Sequence, residues 1–364
     1  MRPRSVALLI SAPAWRGSGA SFGKIAAGLE RAGHRALLIT GAAEVTERLR
    51  ELRLTVEQLV LPRTGWKEVS AVRQALGRFG AEIVLADTPR DLRLGAANAL
   101  LRRRSLVFRY NLSGRDLPAD PLSRLFWSRI TAVVYQSEYA RDRAYRTSPW
   151  LRQIPAHLIG NGYDGEVHRP DPAAADRARR RLSLPPERLV VVSGAALYFA
   201  KGYAVALHAL ARIADRLGVT YVICGAGPEQ AAIEALARQL LVPAIFPGQL
   251  SPAEFRDALQ AADVVLHAAP GELFPNLVGE AMASARAVVG VDSGATPEVV
   301  GRAGRAGCLV PPDDPAALAD ALERLLADRE LRASMGREAR DRILERFPLR
   351  QMEDAYVRLC ESLP

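Results

Sequence analysis

Lysine is almost missing from this sequence: Lys24, Lys67 and Lys201 stand against 46 arginines. Cysteine is as scarce. Cys224, Cys308 and Cys360 lie far apart and form no CxxC pair. That excludes a disulfide framework and a cysteine-ligated structural metal, and it points to a reducing compartment. No apolar run approaches the roughly 18 residues that a membrane-spanning helix needs. No internal repeat or low-complexity tract stands out. No motif interleaves basic and aromatic residues as an RNA or DNA site would, so nucleic acid is not an expected partner. The opening MRPRSVALLISAPAW imitates a secretory leader, with two arginines, a short apolar run and small residues. A Gly-rich turn, an amphipathic helix and the strand RALLIT follow at once. SVALLIS therefore reads as the first strand of a βαβ unit.

What is present is an ordinary globular composition, 49% hydrophobic and 24% charged, over 364 residues. That length exceeds one ordinary core and predicts two domains. The charge is uneven. Residues 1–160 carry 26 Lys+Arg and 13 Asp+Glu, residues 161–364 carry 23 and 27, and the net is +9. All four tryptophans (Trp15, Trp66, Trp127, Trp150) fall in the basic half. Such a half fits an anionic partner such as a membrane surface; an Arg-solvated surface over Trp-filled core explains it as well.

Apolar strands alternate with amphipathic helices, the pattern of parallel sheets with crossover helices. Strands are expected near 5–11, 35–40, 82–86, 105–109, 132–136 and 156–159, with helices at 20–32, 67–79, 92–103 and 137–146. A fresh unit starts with strands at 189–195, 219–225, 244–248, 263–269, 287–291 and 308–310. Helices are expected between them and from 315 onward. The prolines and charges of 168–189 read as a domain connection. The expected fold is α/β: two Rossmann-like, doubly wound domains facing a cleft. The first spans 1–167 and the second 168–347, with a helix over 348–364 crossing back to the first. Ligands bind such sheets at the carboxyl ends of their strands.

Four stretches carry chemistry. WRGSGASFGKI (15–25) is Gly-rich between strand and helix. It matches neither a P-loop nor a dinucleotide fingerprint, and a phosphate loop and a plain tight turn both fit it. FAKGY (199–203) keeps a lysine before a helix start, the wrong sign for the helix dipole; an anion between them removes the conflict. CGAGPEQ (224–230) fits a close backbone approach or a strand-to-helix turn. GELFPNLVGEAMA (271–283) brackets a helix start with Glu272 and Glu280. Pro275 suits the first helical turn. The N–H groups of Asn276 and Leu277 would then face an anion. Two carboxylates beside an anion site make sense if each grips a diol. The pattern diol, diphosphate, diol is a nucleotide sugar.

At these residues the sequence resembles the family-4 glycosyltransferases of GT-B architecture. The resemblance rests on IGNGYDGEVHRP (159–170), the Lys201 phrase, CGAGPEQAAIEAL (224–236), FPGQLSPAEFRDALQAADVVLHAAPGELFPNLVGEAMA (246–283), SGATPEVV (293–300) and the phrase over 309–347, with looser matches at 19–40. It implies catalytic roles for Glu272, beside the donor sugar, and Lys201, on the diphosphate. Glu280 would bind the ribose hydroxyls. Leu250 would meet the base, Gly19 would approach from the first domain, and Phe274, Asn276 and Leu277 would complete the donor contacts. The implied reaction moves a sugar, with retention, from a nucleoside diphosphate sugar (UDP favoured) to an envelope glycan or lipid-linked acceptor. No cofactor and no metal are expected, and the donor itself is the bound nucleotide. The implied setting is cytoplasmic, peripheral at an anionic inner membrane face. Two departures stand out. Ala196 takes the place of an arginine five positions before the lysine, and VFRYNLSGRD (107–116) lacks the family's first-domain histidine; Arg109, Asn111 or Arg115 are the candidates to replace it. These departures leave open a nucleotide-sugar-binding scaffold; a third reading, a GT-B epimerase or hydrolase of nucleotide sugars, is opposed by the two glutamates spaced eight apart.

Overall fold

The computed structural model describes every residue except 1, 13, 14, 16, 102, 103, 113–116 and 119. The chain forms two compact units, Met1–Gly162 with Leu349–Pro364, and Tyr163–Pro348. The chain passes between them at 162–163 and 348–349, where the sequence reading had set divisions after 167 and 347.

The first unit holds a parallel sheet of β1 (Ser5–Ile10), β2 (Arg35–Thr40), β3 (Val56–Gln58), β4 (Ile83–Ala86), β5 (Ser105–Arg109), β6 (Ile130–Tyr135) and β7 (Ala156–Leu158). Their order is β3-β2-β1-β4-β5-β6-β7. β1, β4 and β5 are buried along their whole length. Strands covered on both faces read as continuous apolar runs, which is why the sequence shows them clearly. β3 escaped the sequence reading because VEQ is a short, half-exposed edge strand. The helices Ala43–Glu51 and Pro121–Trp127 escaped as well; both are polar or short. The helix Leu349–Ser362 belongs to this unit. Its Met352, Tyr356, Leu359 and Cys360 join the core with Phe22, Ile25 and Leu29 of the helix Gly17–Arg31. Gly28 allows the approach, because a Cβ there would lie 2.7 Å from the Glu353 side chain. Buried Glu353 pairs with Arg31.

The second unit holds β8 (Leu189–Gly194), β9 (Val219–Cys224), β10 (Ala244–Gly248), β11 (Val264–His267), β12 (Ala287–Val291) and β13 (Cys308–Val310). All pairs are parallel, in the order β10-β9-β8-β11-β12-β13. Apolar clusters cover both faces, one around Leu207, Val264 and Leu322 and one around Val192, Val265 and Met282. The middle of 168–189 is no linker. Residues Pro172–Arg181 form a helix with Asp171 as its cap, accepting from Ala173 N. It packs on the helix Pro252–Ala261, and Arg177 makes a two-pronged pair with Asp257 at 3.0 Å. The charge cluster that resembled a connection is the solvated face of an amphipathic helix. All three cysteines are free and buried.

Candidate active site

In the second sheet the strand order reverses between β8 and β11, and doubly wound sheets bind ligands outside the carboxyl ends at that point. The segment after β8 leads to Lys201, and the segment after β11 leads to Glu272. The structure brings these two together: Lys201 Nζ lies 2.5 Å from Glu272 Oε1. Both side chains are partly exposed, 29% and 19%, so the charges stay within reach of a ligand.

The backbone is built to hold this pair. Lys201 ends a short 3-10 turn, Phe199–Lys201, and Gly202 follows at φ +77°. A Cβ on Gly202 would sit 2.1 Å from Ala268 O. Only glycine meets both the left-handed backbone and the contact with the chain leaving β11. On the other side, Ala295 N donates to Glu272 O at 2.9 Å and Ser293 Oγ accepts from Gly271 N at 3.2 Å. The glutamate is thus clamped by the loop after β12.

The helix Asn276–Ala283 starts at Asn276. Pro275 is the residue before the first helical one, with φ −82° and ψ 86°, a step earlier than the sequence reading placed it. It offers no side-chain cap, so the helix's positive end keeps the character that attracts an anion. Glu280 is half-buried within this helix. Tyr163 is fully buried against Gly279, and burial together with the Glu280 charge pushes its hydroxyl pKa well up.

The remaining sequence-read residues have diverse settings. Leu277 lines the same small cavity as Lys201 and Gly202. Phe274 is buried and stacks edge-on against Phe347, ring centres 5.5 Å apart; its side chain is part of the core. Leu250 is partly buried against that core after β10. It precedes a capping box of Ser251 and Glu254 that starts the helix Pro252–Ala261. Gly19 lies in the first unit, in the first turn of the helix Gly17–Arg31, and the ring of Trp15 lies 3.3 Å from where its Cβ would be. Among the described residues, no arginine lines the Lys201 cavity.

His267, the last residue of β11, was missed by sequence reading. It lines the cavity with Lys201 and Leu277, and it is only 7% exposed. Burial pushes its pKa down to about 4; Glu272 opposes that shift and Lys201 adds to it. A lone histidine inside an apolar strand carries no signal that separates it from core.

The first unit has its own switch point, between β1 and β4, and it is filled by side chains. Ser11 N donates to Asp91 Oδ1 at 2.9 Å, and Thr88 Oγ1 donates to Asp91 Oδ2 at 2.6 Å. Arg109 lies 3.6 Å from Asp87 and donates to Asn161 Oδ1 at 2.7 Å. With its amide turned to suit its neighbours, Gln136 accepts from Arg109 Nη1 at 3.1 Å. All of these side chains but the half-buried Thr88 are buried. Burial raises the Asp87 pKa to about 6, with Arg109 and Asn111 opposing. Burial and then the Asp87 charge raise that of Asp91 to about 7, with Thr88 and Ser11 opposing. Arg109, a candidate for the role of the missing histidine, is therefore engaged inside the core. Asn111 is exposed, and Arg115 lies outside the described residues.

Residues 175–342, all within the second unit, match the family model described as Glycosyl transferases group 1. That upholds the resemblance to the family-4 glycosyltransferases. The D-inositol 3-phosphate glycosyltransferase of Corynebacterium jeikeium is 32% identical over 201 residues, 52% of this chain and 48% of that one. The chain thus spans about half the length of the curated relatives it matches first. The lipopolysaccharide core biosynthesis glycosyltransferase LpsE of Rhizobium meliloti is 29% identical over 331 residues, 90% of this chain and 87% of that one. Among solved structures, Anabaena HepE in complex with UDP-glucose superposes with a TM-score of 0.87 at 21% identity, covering 99% of this chain and all of the other. At that identity the likeness is one of fold, the two Rossmann-like domains of GT-B glycosyltransferases.

Proposed function

We propose that this chain is a retaining, metal-independent glycosyltransferase that takes a sugar from a nucleoside diphosphate sugar, UDP-linked by preference. The observation that carries the reading is the Lys201–Glu272 pair at the switch point of the second sheet, beside a helix start without a side-chain cap. In this reading the diphosphate takes over Lys201 and the amide end at Asn276. Glu272 is released to the sugar hydroxyls, and Glu280 grips the ribose. Leu250 meets the base through its backbone, and Phe274 and Leu277 shape the wall. Charge that builds on the departing diphosphate is met by the ammonium and the amide dipoles, an electrostatic role. The departing phosphate takes the acceptor proton.

The acceptor belongs to the basic first unit and is an envelope glycan or a lipid-linked glycan. The lipopolysaccharide role in the name of the Rhizobium relative supports this. So does the surface of the unit. Trp66 is 87% exposed and Val60 83%. Leu122 and Leu125 are exposed on the helix Pro121–Trp127. That helix packs on Pro89–Leu101, which packs on Trp66–Phe79, so the exposed apolar groups belong to adjoining helices. Arg63, Lys67, Arg90 and Arg124 lie in the same segments. Apolar tips among cations suit an anionic bilayer surface on the cytoplasmic side. No helix among the described residues is long and apolar enough to cross a membrane.

A second reading, a nucleotide-sugar-binding protein without turnover, is favoured by Ala196 and by the lack of an arginine among the described residues that line the Lys201 cavity. Donor turnover, followed with and without a membrane extract as acceptor, separates the two. Sugar transfer that needs the extract supports the enzyme. Tight binding with no transfer supports the binding protein, and release of free sugar alone would mark a hydrolase.

A further inference from the structure

We propose that His267 is a direct contact of the donor diphosphate and takes up one proton when that group binds. The inference rests on the proposed donor site and adds a residue to it.

The imidazole is 7% exposed, and its Nε2 has no hydrogen-bond partner among the described residues. Buried polar atoms are nearly always satisfied, and an orphan is destabilising. The fold had local groups that could have served it. The hydroxyls around the cavity are committed elsewhere, however. Tyr203 donates to Ala195 O at 3.1 Å, Ser193 to Leu266 O at 2.7 Å, and Tyr221 to Ser193 Oγ at 2.8 Å. The unspent nitrogen lines the same cavity as Lys201, Gly202 and Leu277. A group held unsatisfied next to the anion-binding lysine fits a partner that arrives with the ligand.

Charge decides what that partner does to the ring. Four titratable groups face it from the surrounding elements: Lys201 before the helix Tyr203–Ala211, Glu272 after β11, Tyr203 on that helix, and Tyr221 on β9. The two tyrosine hydroxyls are pushed up by burial and stay neutral. Lys201 and Glu272 neutralise each other while they are paired, so burial rules and the imidazole is neutral. A sugar-linked diphosphate brings two negative charges, and Lys201 offsets one. An anion within about 4–6 Å favours the charged form of a base by about 1–3 pKa units. The ring then accepts a proton from solvent and donates from Nε2 to a phosphate oxygen. No covalent bond forms or breaks. Binding that takes up a proton strengthens as pH falls, by at most about tenfold per pH unit.

The test is titration calorimetry of the whole chain with UDP-glucose, whose phosphates do not titrate near neutrality. Buffers of different ionisation heat report the protons exchanged. Wild type should take up a fraction of a proton at about pH 6, and bind several-fold more tightly at about pH 5.5 than at about pH 8. His267→Gln keeps a neutral donor. It should lose the uptake and the pH slope while binding within about threefold of wild type at about pH 8. His267→Leu, checked for folding by thermal melting, should lose the slope and also bind more weakly at every pH. Uptake and slope that persist in His267→Gln overturn the assignment, as does a wild type that binds with neither. A wild type that binds no member of a nucleotide-sugar panel overturns the proposed function, and this inference with it.

Discussion

The hydroxyl of Tyr163 occupies the space beside the Gly279 α-carbon: a Cβ on residue 279 would lie 2.1 Å from it. Tyr163 is the first residue of the second unit, and Gly279 directly precedes Glu280 on the helix whose start is the proposed anion site. Gly279→Ala therefore forces the ring or the helix to move. Overpacking of this kind costs about 1–3 kcal/mol. The expected outcome is a lower melting temperature together with about tenfold weaker nucleotide binding. Gly279→Ala paired with Tyr163→Leu should recover part of both. Melting curves and calorimetry on the three variants check this, and an unaltered Gly279→Ala protein would remove the link between Tyr163 and Glu280.

The Lys201–Glu272 pair makes the two residues separable. Lys201→Ala removes the cation and leaves Glu272 facing the phosphates, so nucleoside diphosphate binding should weaken by about 2–5 kcal/mol. Glu280→Ala should weaken it through the ribose, and a 2′-deoxy nucleotide should lose less than the ribo form. Glu272→Gln frees Lys201, so the bare nucleotide should bind as well as or better than in wild type while turnover drops. Calorimetry beside a transfer assay reads all three. Equal affinities across wild type, Lys201→Ala and Glu280→Ala would sink the donor site.

The buried carboxyls of the first unit predict a pH dependence of stability. Asp87 and Asp91 have folded-state pKa values raised to about 6 and about 7, above the unfolded value of about 3.9. The folded chain thus holds protons that the unfolded chain releases. This contribution is complete below about pH 4 and is lost as pH rises through about 6 to 7. The first unit should melt at a lower temperature at pH 8 than at about pH 5.5, by several degrees, given roughly 2–4 °C per kcal/mol in units of this size. Asp91→Asn keeps partners for Ser11 and Thr88, and it should flatten the profile. Differential scanning calorimetry across that range is the check; a melting temperature that rises with pH over this window contradicts the assignment.

The exposed Trp66, Leu122 and Leu125 predict binding to anionic vesicles. Trp66→Ala combined with Leu122→Ser should lower the vesicle-bound fraction in flotation, and added salt should lower it for wild type. These side chains carry no core packing, so the melting temperature should hold. Equal flotation on neutral and anionic lipid would remove the membrane from the proposal.

Sequence alone determined the strands of both sheets apart from the edge strand β3, because a strand buried on both faces must be apolar throughout, as in SVALLI and VTYVIC. The phrase proposed to hold the donor was legible as well, since Lys201, Gly202, Glu272 and Glu280 sit in short stretches of sequence. It misled at 168–189, where an Arg-rich amphipathic helix and a solvated linker share one composition. Tertiary structure alone decided which side chains meet. The ion pair from Lys201 to Glu272 spans the reversal between β8 and β11. The commitment of Arg109 to Asp87 and Asn161 likewise depends on strands far apart in the chain, and so does the orphaned Nε2 of His267. Periodicity records which face of an element is buried. It does not record which partner lies across from it, because that is set by sheet order and loop path, through contacts remote in sequence.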